Sequence, residues 1–188
     1  IIASHEGQAV RFSEQNVRAM GRPARGVRGM TLRDGDYICG TVVVEEGKKI
    51  LTITEKGKGK RTEFSDFRSM KNRGGTGYAA HNITEDSGKL AGILAVSDDD
   101  DVMVITDEGV IIRTGVDSIN VYSRTAGGVK VMNVEDDAKI IGIARIENEA
   151  ELEKAAEEAE AATVQEIPDE DAPVMKEPVQ LQQEDGEE

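Results

Sequence analysis

The chain repeats itself, with 51 residues between equivalent arginines. Each of these arginines is followed four positions later by a glycine: Arg22 and Gly26, Arg73 and Gly77, Arg124 and Gly128. Two further elements recur around the pairs. A Gly-x-x-x-Arg turn precedes each pair, at Gly7/Arg11, Gly57/Arg61 and Gly109/Arg113, and an apolar step that closes on glycine follows at Gly40, Gly92 and Gly142. A fixed period of this length is typical of propellers, solenoids and arrays, in which each unit buries its apolar face against the next.

Strand signals fill each unit up to about residue 147. Short β-branched runs at 50–54 and 102–106 end in charged turns and lead into second strands at 60–62 and 111–114, which predicts hairpins. Third strands are expected near 27–32, 78–83 and 129–134, and fourth strands at 38–44, 90–96 and 140–146. Four strands per unit indicate an all-β fold of propeller-like blades. The predicted blades are 1–48, 49–100 and 101–147. Aligning them places Ile1 inside a strand, so we expect further residues to precede it in the natural protein.

Charge is distributed unevenly along the chain. Residues 1–77 carry 15 Lys/Arg and 9 Asp/Glu, residues 78–147 carry 6 and 13, and residues 148–188 carry 2 and 15. The net charge of −14 therefore arises mainly from the last segment, while the basic first half suits a polyanionic partner. We expect 148–188 to form an acidic tail, with a short helix at about 149–162 and disorder beyond it. Such a tail either competes with a polyanion for the basic half or only keeps the chain soluble.

Other residues limit the classes of site that the chain can hold. The single cysteine, Cys39, excludes an intrachain disulfide, favours a reducing compartment and has the apolar setting of a structural thiol. No apolar run approaches the length of a membrane span, so we expect no membrane partner. His5 and His81 stand alone, and the acidic run at 98–101 lacks the pattern of a calcium loop. The residues therefore predict neither a metal site nor a catalytic centre.

Basic residues concentrate in the connections between the second and third strands. Stacked units place these connections at equivalent positions on one rim, where arginines can pair with phosphate oxygens through two donors. The neighbouring glycines would let backbone N–H groups approach a phosphate. The basic hairpin at 56–62 lacks Walker A spacing and is instead a candidate polyanion-contacting tip. Solvated surface charge is the alternative throughout. The candidate residues are Arg11, Arg18, Arg22, Arg25, Arg28, Lys58, Lys60, Arg61, Arg68, Lys71, Arg73, Arg113, Arg124 and Lys130.

Several segments together resemble the C-terminal domain of bacterial DNA gyrase A. They are Gly7–Phe12, Met20–Gly29, Leu51–Gly57, Gly59–Thr62 and Arg124–Val129. The resemblance in sequence, order and period covers about residues 1–147. In that family the domain is a six-bladed β-pinwheel, whose blades exchange strands and whose basic rim wraps DNA. The resemblance implies that this chain holds the last three of a probable six blades, together with the acidic tail.

One departure from the family concerns its signature box. The box Gln-Arg-Arg-Gly-Gly-x-Gly belongs to the first blade, which this chain lacks. A box-like turn in the middle blade matches only the later part, through Arg73, Gly74, Gly75 and Gly77. The catalytic tyrosine of the family also lies outside the chain, so we expect no catalytic site here. The resemblance implies a parent that is an ATP-dependent type IIA topoisomerase. ATP and Mg²⁺ would bind to its other domains and to its partner protein, and no cofactor to this chain.

The function implied by the resemblance is binding and wrapping of duplex DNA, which gives direction to negative supercoiling. The implied partners are double-stranded DNA, gyrase B and a second copy of gyrase A, and the implied location is the bacterial cytoplasm, at the nucleoid. Two alternatives remain open. One is the corresponding domain of the gyrase A counterpart in topoisomerase IV, against which the regular period argues. The other is a propeller-type protein-interaction scaffold, against which an aromatic content of only 3% argues.

Overall fold

The described part of the chain is built from short strands and 3₁₀ helices. The computed structural model describes residues 1–135 and 137–146, so the predicted tail at 148–188 and its helix at 149–162 lie outside the described residues. The strands are β1 (Ile2–Ser4), β2 (Gln8–Val10), β3 (Ile38–Thr41), β4 (Lys49–Thr54), β5 (Lys58–Glu63), β6 (Tyr78–Ala79), β7 (Leu90–Val96), β8 (Asp101–Thr106), β9 (Ile111–Gly115), β10 (Val129–Lys130) and β11 (Ile140–Ile146). The 3₁₀ helices are Glu14–Asn16, Phe64–Asp66 and Val116–Ser118, one after the second strand of each repeat. The all-β prediction is confirmed.

The strands form three antiparallel sheets in which successive repeats exchange a strand. The sheet orders are β3-β1-β2-β6, β7-β4-β5-β10 and β11-β8-β9. Strand β6 belongs to the second repeat but pairs with β2 of the first, with Ala9 opposite Tyr78. Strand β10 of the third repeat pairs in the same way with β5 of the second, with Gly59 opposite Val129. Two of the three sheets are thus each made from two repeats, which is the strand exchange that the resemblance implies.

Two of the repeated glycines stand where the exchanged strands cross. Gly77 has φ +79° and Gly128 has φ +72°, a region that favours glycine. A Cβ added to Gly77 would lie 2.3 Å from the carbonyl oxygen of Ala9, and one added to Gly128 would lie 2.4 Å from that of Gly59. Both glycines therefore let the incoming strand approach the backbone of the preceding repeat.

The strand predicted near 27–32 is wrong, because no strand forms in this segment. Its counterparts β6 and β10 each pair with the second strand of the preceding repeat. The described residues hold no such strand for 27–32, and its backbone pairs instead with the turn at 74–75 of the second repeat, through Gly74 N–H to Gly29 O and Thr31 N–H to Gly75 O. Gly26 is the counterpart of Gly77 and Gly128 and has a similar φ of +77°. No described strand crosses it, so a Cβ added there would meet nothing within 4 Å.

The apolar cores lie between successive sheets. One core joins the second and third repeats, with Leu51, Ile53 and Val104 among its buried members. The other joins the first and second repeats through residues such as Ala9 and Phe67. Each unit therefore buries its apolar face against its neighbour, as the repeat period predicts.

Cys39 lies on strand β3 and has a weakly acidic thiol. Cys39 is only partly buried, and burial raises the pKa of its thiol to about 12, so the thiolate is strongly disfavoured. Within the described residues no helix is long and apolar enough to cross a membrane.

Candidate nucleic-acid interface

The connections between second and third strands contact one another from repeat to repeat. The first and second connections are joined by Gly74 N–H to Gly29 O at 2.8 Å and by Thr31 N–H to Gly75 O at 2.9 Å. Asn82, just after the second connection, donates its N–H to Ala126 O of the third at 3.3 Å. Main-chain hydrogen bonds therefore join the first connection directly to the second, and join the third connection to the segment that follows β6.

Six basic side chains of the first two connections are exposed and have no ion-pair or side-chain hydrogen-bond partner among the described residues. With their charges unpaired, they can bind phosphate oxygens, and arginine can do so through two donors at once. The six residues are Arg18, Arg22, Arg25, Arg28, Arg68 and Lys71.

Arg73 and Arg124 each tie their connection to the preceding repeat. Arg73 donates Nη1–H to Arg28 O at 2.8 Å and Nε–H to Asn16 O at 3.1 Å. Arg124 donates Nη1–H to Ala79 O and lies 4.6 Å from the ring centroid of Tyr78. In both cases the acceptor stands 45 positions before the arginine, so the contact repeats with the sequence. Both side chains are half-buried, whereas Arg22 is exposed and lacks such a tie among the described residues.

The box-like turn is packed against the first repeat. Gly74 has φ +86° and donates its N–H to Gly29 O, and Gly77 lies against the backbone of Ala9. A Cβ on Gly75 would lie 2.7 Å from the Met70 methyl group. The turn thus serves the join between repeats, and its part in binding DNA stays a prediction.

The arginines of the Gly-x-x-x-Arg turns also join successive repeats. Arg11 donates Nη1–H to the carbonyl oxygens of Phe64 at 2.6 Å and Phe67 at 3.0 Å. Arg61 reaches the equivalent 3₁₀ helix of the third repeat, donating Nε–H to Ile119 O and Nη2–H to Asp117 O. Phe67 and Ile119 directly follow these short helices, where backbone acceptors otherwise lack partners, whereas Phe64 O also accepts from Phe67 N–H.

The third member of this set, Arg113, behaves differently. Its side chain is exposed and pairs with Asp101, with 2.5 Å between Nη2 and Oδ2. Arg61 is instead buried, and its Nη1 lies 2.5 Å from Oδ1 of Asp98. The hydrogen bond from Lys49, followed by the charge of Arg61, lowers the pKa of Asp98. We therefore remove Arg61 from the DNA-contacting set, because its guanidinium is occupied inside the protein.

Lys60 is also removed from the set of residues predicted to contact DNA. Its side chain has 0% exposure, and Nζ donates to the carbonyl oxygens of Ser123 at 2.9 Å, Ala126 at 2.8 Å and Arg124. Burial, and then the charge of Arg124, lowers the pKa of Lys60 to about 8. The side chain therefore remains an ammonium at neutral pH, but it faces the third connection from inside and cannot touch a ligand in solvent.

His81 supports the same connection, a role that the sequence alone did not suggest. Its Nε2 lies 3.1 Å from Gly127 O, and its Nδ1 lies 3.0 Å from Thr52 Oγ1. Because a carbonyl oxygen can only accept, we assign the proton to Nε2. Burial, and then the charge of Lys60, lowers the pKa of His81 to about 4, so the ring is neutral at pH 7.

The hairpin tip carries a smaller basic group. Lys58 of β5 lies directly opposite Lys130 of β10, a like-charge pair that is unfavourable in the absence of an anion. Both line a cleft of about 400 Å³ together with Lys56, Asp86 and Glu135. The two carboxylates reduce the positive potential of this cleft, so it is a weaker candidate than the six exposed basic side chains of the first two connections, which we call the basic row.

Among residues 1–135 and 137–146, no group of three or more His, Cys, Asp or Glu side chains is arranged to hold a metal ion.

Comparison with known proteins identifies the family. A model described as "DNA gyrase C-terminal domain, beta-propeller" matches residues 1–45, 48–97 and 100–147. DNA gyrase A of Staphylococcus aureus (strain NCTC 8325 / PS 47) is 38% identical over 168 residues, which are 88% of this chain and 19% of that protein. The chain thus spans about a fifth of the length of the curated relatives that it matches.

Two solved structures share the fold. The C-terminal domain of DNA topoisomerase IV superposes with a TM-score of 0.74 at 26% identity, covering 86% of this chain and 50% of the other. The C-terminal domain of DNA gyrase A superposes with a TM-score of 0.68 at 28% identity, covering 78% and 50%. Topoisomerase IV is therefore a structural neighbour, while the matching family and the curated relatives are those of gyrase A. By repeat sequence, strand exchange and family match, this chain belongs to the DNA gyrase C-terminal domain family.

Proposed function

We propose that this chain binds duplex DNA along the exposed basic row of its first two connections and bends the duplex as it follows them. The observation that carries this proposal is the row of six exposed cations without partners among the described residues, on segments that abut one another. Such residues neutralise phosphates and release counterions with little reading of base sequence. Bending a site of 20–30 base pairs by up to a right angle costs on the order of 1–6 kcal/mol, which several charge-assisted contacts can offset.

The names of the relatives support the same proposal. Because the curated relatives are DNA gyrase A proteins, we propose that the chain acts within a longer type IIA topoisomerase in the bacterial cytoplasm. There it would present a bent DNA segment to the rest of the enzyme, so that supercoiling has a direction. A second copy of gyrase A and gyrase B are the proposed partners, with ATP and Mg²⁺ bound outside this chain.

The dependence of DNA affinity on salt tests the proposal. Six neutralised phosphates predict a slope of log K against log salt of about −5, or roughly a thousandfold loss of affinity between 50 and 200 mM salt. The measurement is fluorescence anisotropy with a labelled duplex and the full chain. A flat salt response would exclude phosphate neutralisation by the row.

A matched pair of lysine variants locates the contact. Lys71 is exposed in the second connection, whereas Lys139 is exposed outside the row and lies 3.5 Å from Glu55. Lys71→Ala should make the salt slope shallower by about 1. Lys139→Ala removes the same charge and should leave the slope unchanged. Equal effects of the two variants would indicate a general charge effect instead of binding at the row.

Exposed apolar side chains keep the protein-interaction scaffold as a second candidate. Val43 in the first repeat is 74% exposed, and Ile141 in the third is 65% exposed. Ile141 lies on the edge strand β11, and Val43 follows the edge strand β3. Val43 adjoins a second exposed valine, Val44, whereas Ile141 lies on a different sheet, and exposed apolar side chains of this kind are common on protein surfaces. We therefore rank DNA binding first.

A further inference from the structure

Two cations of the second connection have their own backbone carbonyl group held by a neighbouring side chain. The carbonyl oxygen of Arg68 accepts a hydrogen bond from the Tyr78 hydroxyl at 2.5 Å. The carbonyl oxygen of Lys71 accepts one from Nδ2 of Asn16 at 3.1 Å. The side chains of Arg68 and Lys71 are exposed and unpaired among the described residues. These contacts therefore fix the backbone from which each cation extends without occupying its charge.

The cations of the first connection differ in this respect. Arg28 resembles the two cations of the second connection, because its carbonyl oxygen accepts from Nη1 of Arg73 at 2.8 Å. In the other three cations of the basic row, the carbonyl oxygen has no hydrogen-bond donor among the described residues. They are Arg18, Arg22 and Arg25. Half of the basic row therefore extends from a fixed carbonyl group, and the other half does not.

The exchange of strands between repeats sets the position of the Tyr78 hydroxyl. Strand β6 pairs with β2, and Tyr78 stands directly opposite Ala9 of the first repeat. The centroid of the Tyr78 ring lies 6.4 Å from that of Phe67 and 4.6 Å from the guanidinium carbon of Arg124. The hydroxyl therefore reaches Arg68 O from a ring that residues of all three repeats hold in place.

Asn16 joins the first 3₁₀ helix to the second connection at two points. Its side chain donates to Lys71 O, and its own carbonyl oxygen accepts from Nε of Arg73 at 3.1 Å. The two contacts lie on either side of residue 72, so this stretch of the second connection cannot shift relative to the first repeat without stretching both. Lys71 thus extends from a backbone that the preceding repeat holds.

Neither of these two donors recurs at the equivalent positions of the other repeats. The counterparts of Tyr78 are Val27 and Val129, and those of Asn16 are Asp66 and Ser118. Valine has no hydroxyl, a carboxylate cannot donate, and the serine hydroxyl is used locally, donating to Gly115 O. Strand exchange does not require such donors, because β10 pairs with β5 without them. They occur instead in the connection that carries Arg68 and Lys71.

A fixed backbone lowers the cost of holding a phosphate. A cation that binds phosphate loses side-chain freedom, and a mobile backbone beneath it loses further freedom at the same time. Where the carbonyl group is already held, this ordering of the backbone takes place on folding. Removing the hydrogen bond should shift that cost to the binding step and weaken the affinity.

We propose that the donors which hold these three carbonyl groups are positioning residues for DNA binding, which preorganise their cations for contact with phosphate. The pairs of cation and donor are Arg28 with Arg73, Arg68 with Tyr78, and Lys71 with Asn16. This inference rests on the proposed DNA-binding function. It adds residues that act through the backbone of a cation, so their removal should weaken binding only while that cation is present.

Removal of a single hydroxyl tests the proposal. Tyr78→Phe keeps the ring and its contacts, and the affinity of the full chain for a labelled duplex, measured by fluorescence anisotropy, should fall about threefold to tenfold, the equivalent of one hydrogen bond. Tyr122→Phe is the matched control and should bind as the unsubstituted chain does. Tyr122 is exposed in the third connection, and among the described residues its hydroxyl contacts only Nδ2 of Asn120, at 3.4 Å. Normal binding by Tyr78→Phe would overturn the proposal.

A double-mutant cycle separates positioning from a merely structural role. In the Arg68→Ala background, Tyr78→Phe should have no effect on DNA affinity, because the cation that the hydroxyl positions is gone. A general loss of stability would instead lower the affinity by the same factor in both backgrounds. Equal losses in the two backgrounds would therefore overturn the proposal.

Asn16→Ala and Lys71→Ala form a second cycle on exposed residues, which decides should Tyr78→Phe not fold. The loss of affinity caused by Asn16→Ala should likewise vanish in the Lys71→Ala background. Losses that add in either cycle overturn the proposal while DNA binding stands. If Arg68→Ala and Lys71→Ala leave both the affinity and the salt slope unchanged, these cations do not contact DNA and the proposed function itself fails.

Discussion

The three repeated glycines allow the strand-exchange geometry to be tested by one substitution made at equivalent positions. Gly26, Gly77 and Gly128 have φ of +77°, +79° and +72°, so alanine meets the same backbone strain at each. They differ in their surroundings. A Cβ at Gly77 or Gly128 would lie 2.3 or 2.4 Å from a carbonyl oxygen of the preceding repeat, whereas a Cβ at Gly26 would meet nothing within 4 Å.

The expected cost follows from these distances. The left-handed conformation costs alanine about 1–2 kcal/mol, and the loss of chain entropy in the unfolded state returns about 0.4–1 kcal/mol. Gly26→Ala should therefore lower the free energy of unfolding by about 1 kcal/mol. At Gly128 the crossing strand must also move by about 1 Å, from 2.4 Å to the 3.4 Å of an ordinary contact, which weakens the pairing of β10 with β5. Losing two backbone hydrogen bonds at about 1 kcal/mol each brings the total for Gly128→Ala to about 3 kcal/mol.

The assay is urea unfolding of each full-length variant, followed by circular dichroism in the β-sheet region. Equal m-values would allow the midpoints to be compared as free energies. Gly77→Ala should resemble Gly128→Ala, because its Cβ meets Ala9 O at nearly the same distance. If all three variants lose the same stability, the positive φ alone accounts for the need for glycine at these positions. The close approach of the exchanged strands would then not be the reason for it.

Two further predictions concern buried polar side chains. Arg61→Met should lower the free energy of unfolding by about 2–4 kcal/mol, because it leaves the carbonyl oxygens of Asp117 and Ile119 without their buried donor. Arg113→Met at the equivalent exposed position should cost about 0.5 kcal/mol or less, and equal losses in urea unfolding would contradict the inter-repeat role of Arg61. The pKa of His81 is about 4 in the folded chain against 6.5 for an ordinary histidine, so the unfolded state takes up the proton first as the pH falls and stability is lost between about pH 6.5 and 4. Between pH 7 and 4.5 the unsubstituted chain should lose about 2 kcal/mol more than His81→Gln, and identical pH profiles would show that the ring is not held neutral.

The strands of the hairpins and the fourth strands were predictable, and the third strands only in part. Runs such as 50–54 and 140–146 combine β-branched residues with glycine turns, which are local signals, and the structure places β4 and β11 there. The segment 27–32 carries a comparable apolar signal but forms no strand. Whether this segment forms a strand depends on a partner strand from another repeat, and no local pattern encodes that partner.

The residues of the candidate interface were likewise predictable only in part. Arg18, Arg25 and Lys71 are exposed, as surface connections lead one to expect, and their contact with DNA stays a prediction. Lys60 and Arg61 belong to β5, where both faces of the strand are covered by neighbouring sheets. The alternation that normally separates inward from outward residues is lost there, so their burial could not be read from the pattern.

The sequence by itself determined that this protein is a β-repeat array, because a fixed period of glycines, arginines and β-branched runs is a property of consecutive residues. Only the tertiary structure decided which basic residues remain exposed and which join the repeats. The acceptors of the cations that join the repeats are backbone carbonyl groups 53–66 positions away, as in the hydrogen bonds of Arg11, Lys60 and Arg61. Every residue carries a carbonyl group, so the sequence holds no mark of the ones that lie within reach of a buried guanidinium or ammonium.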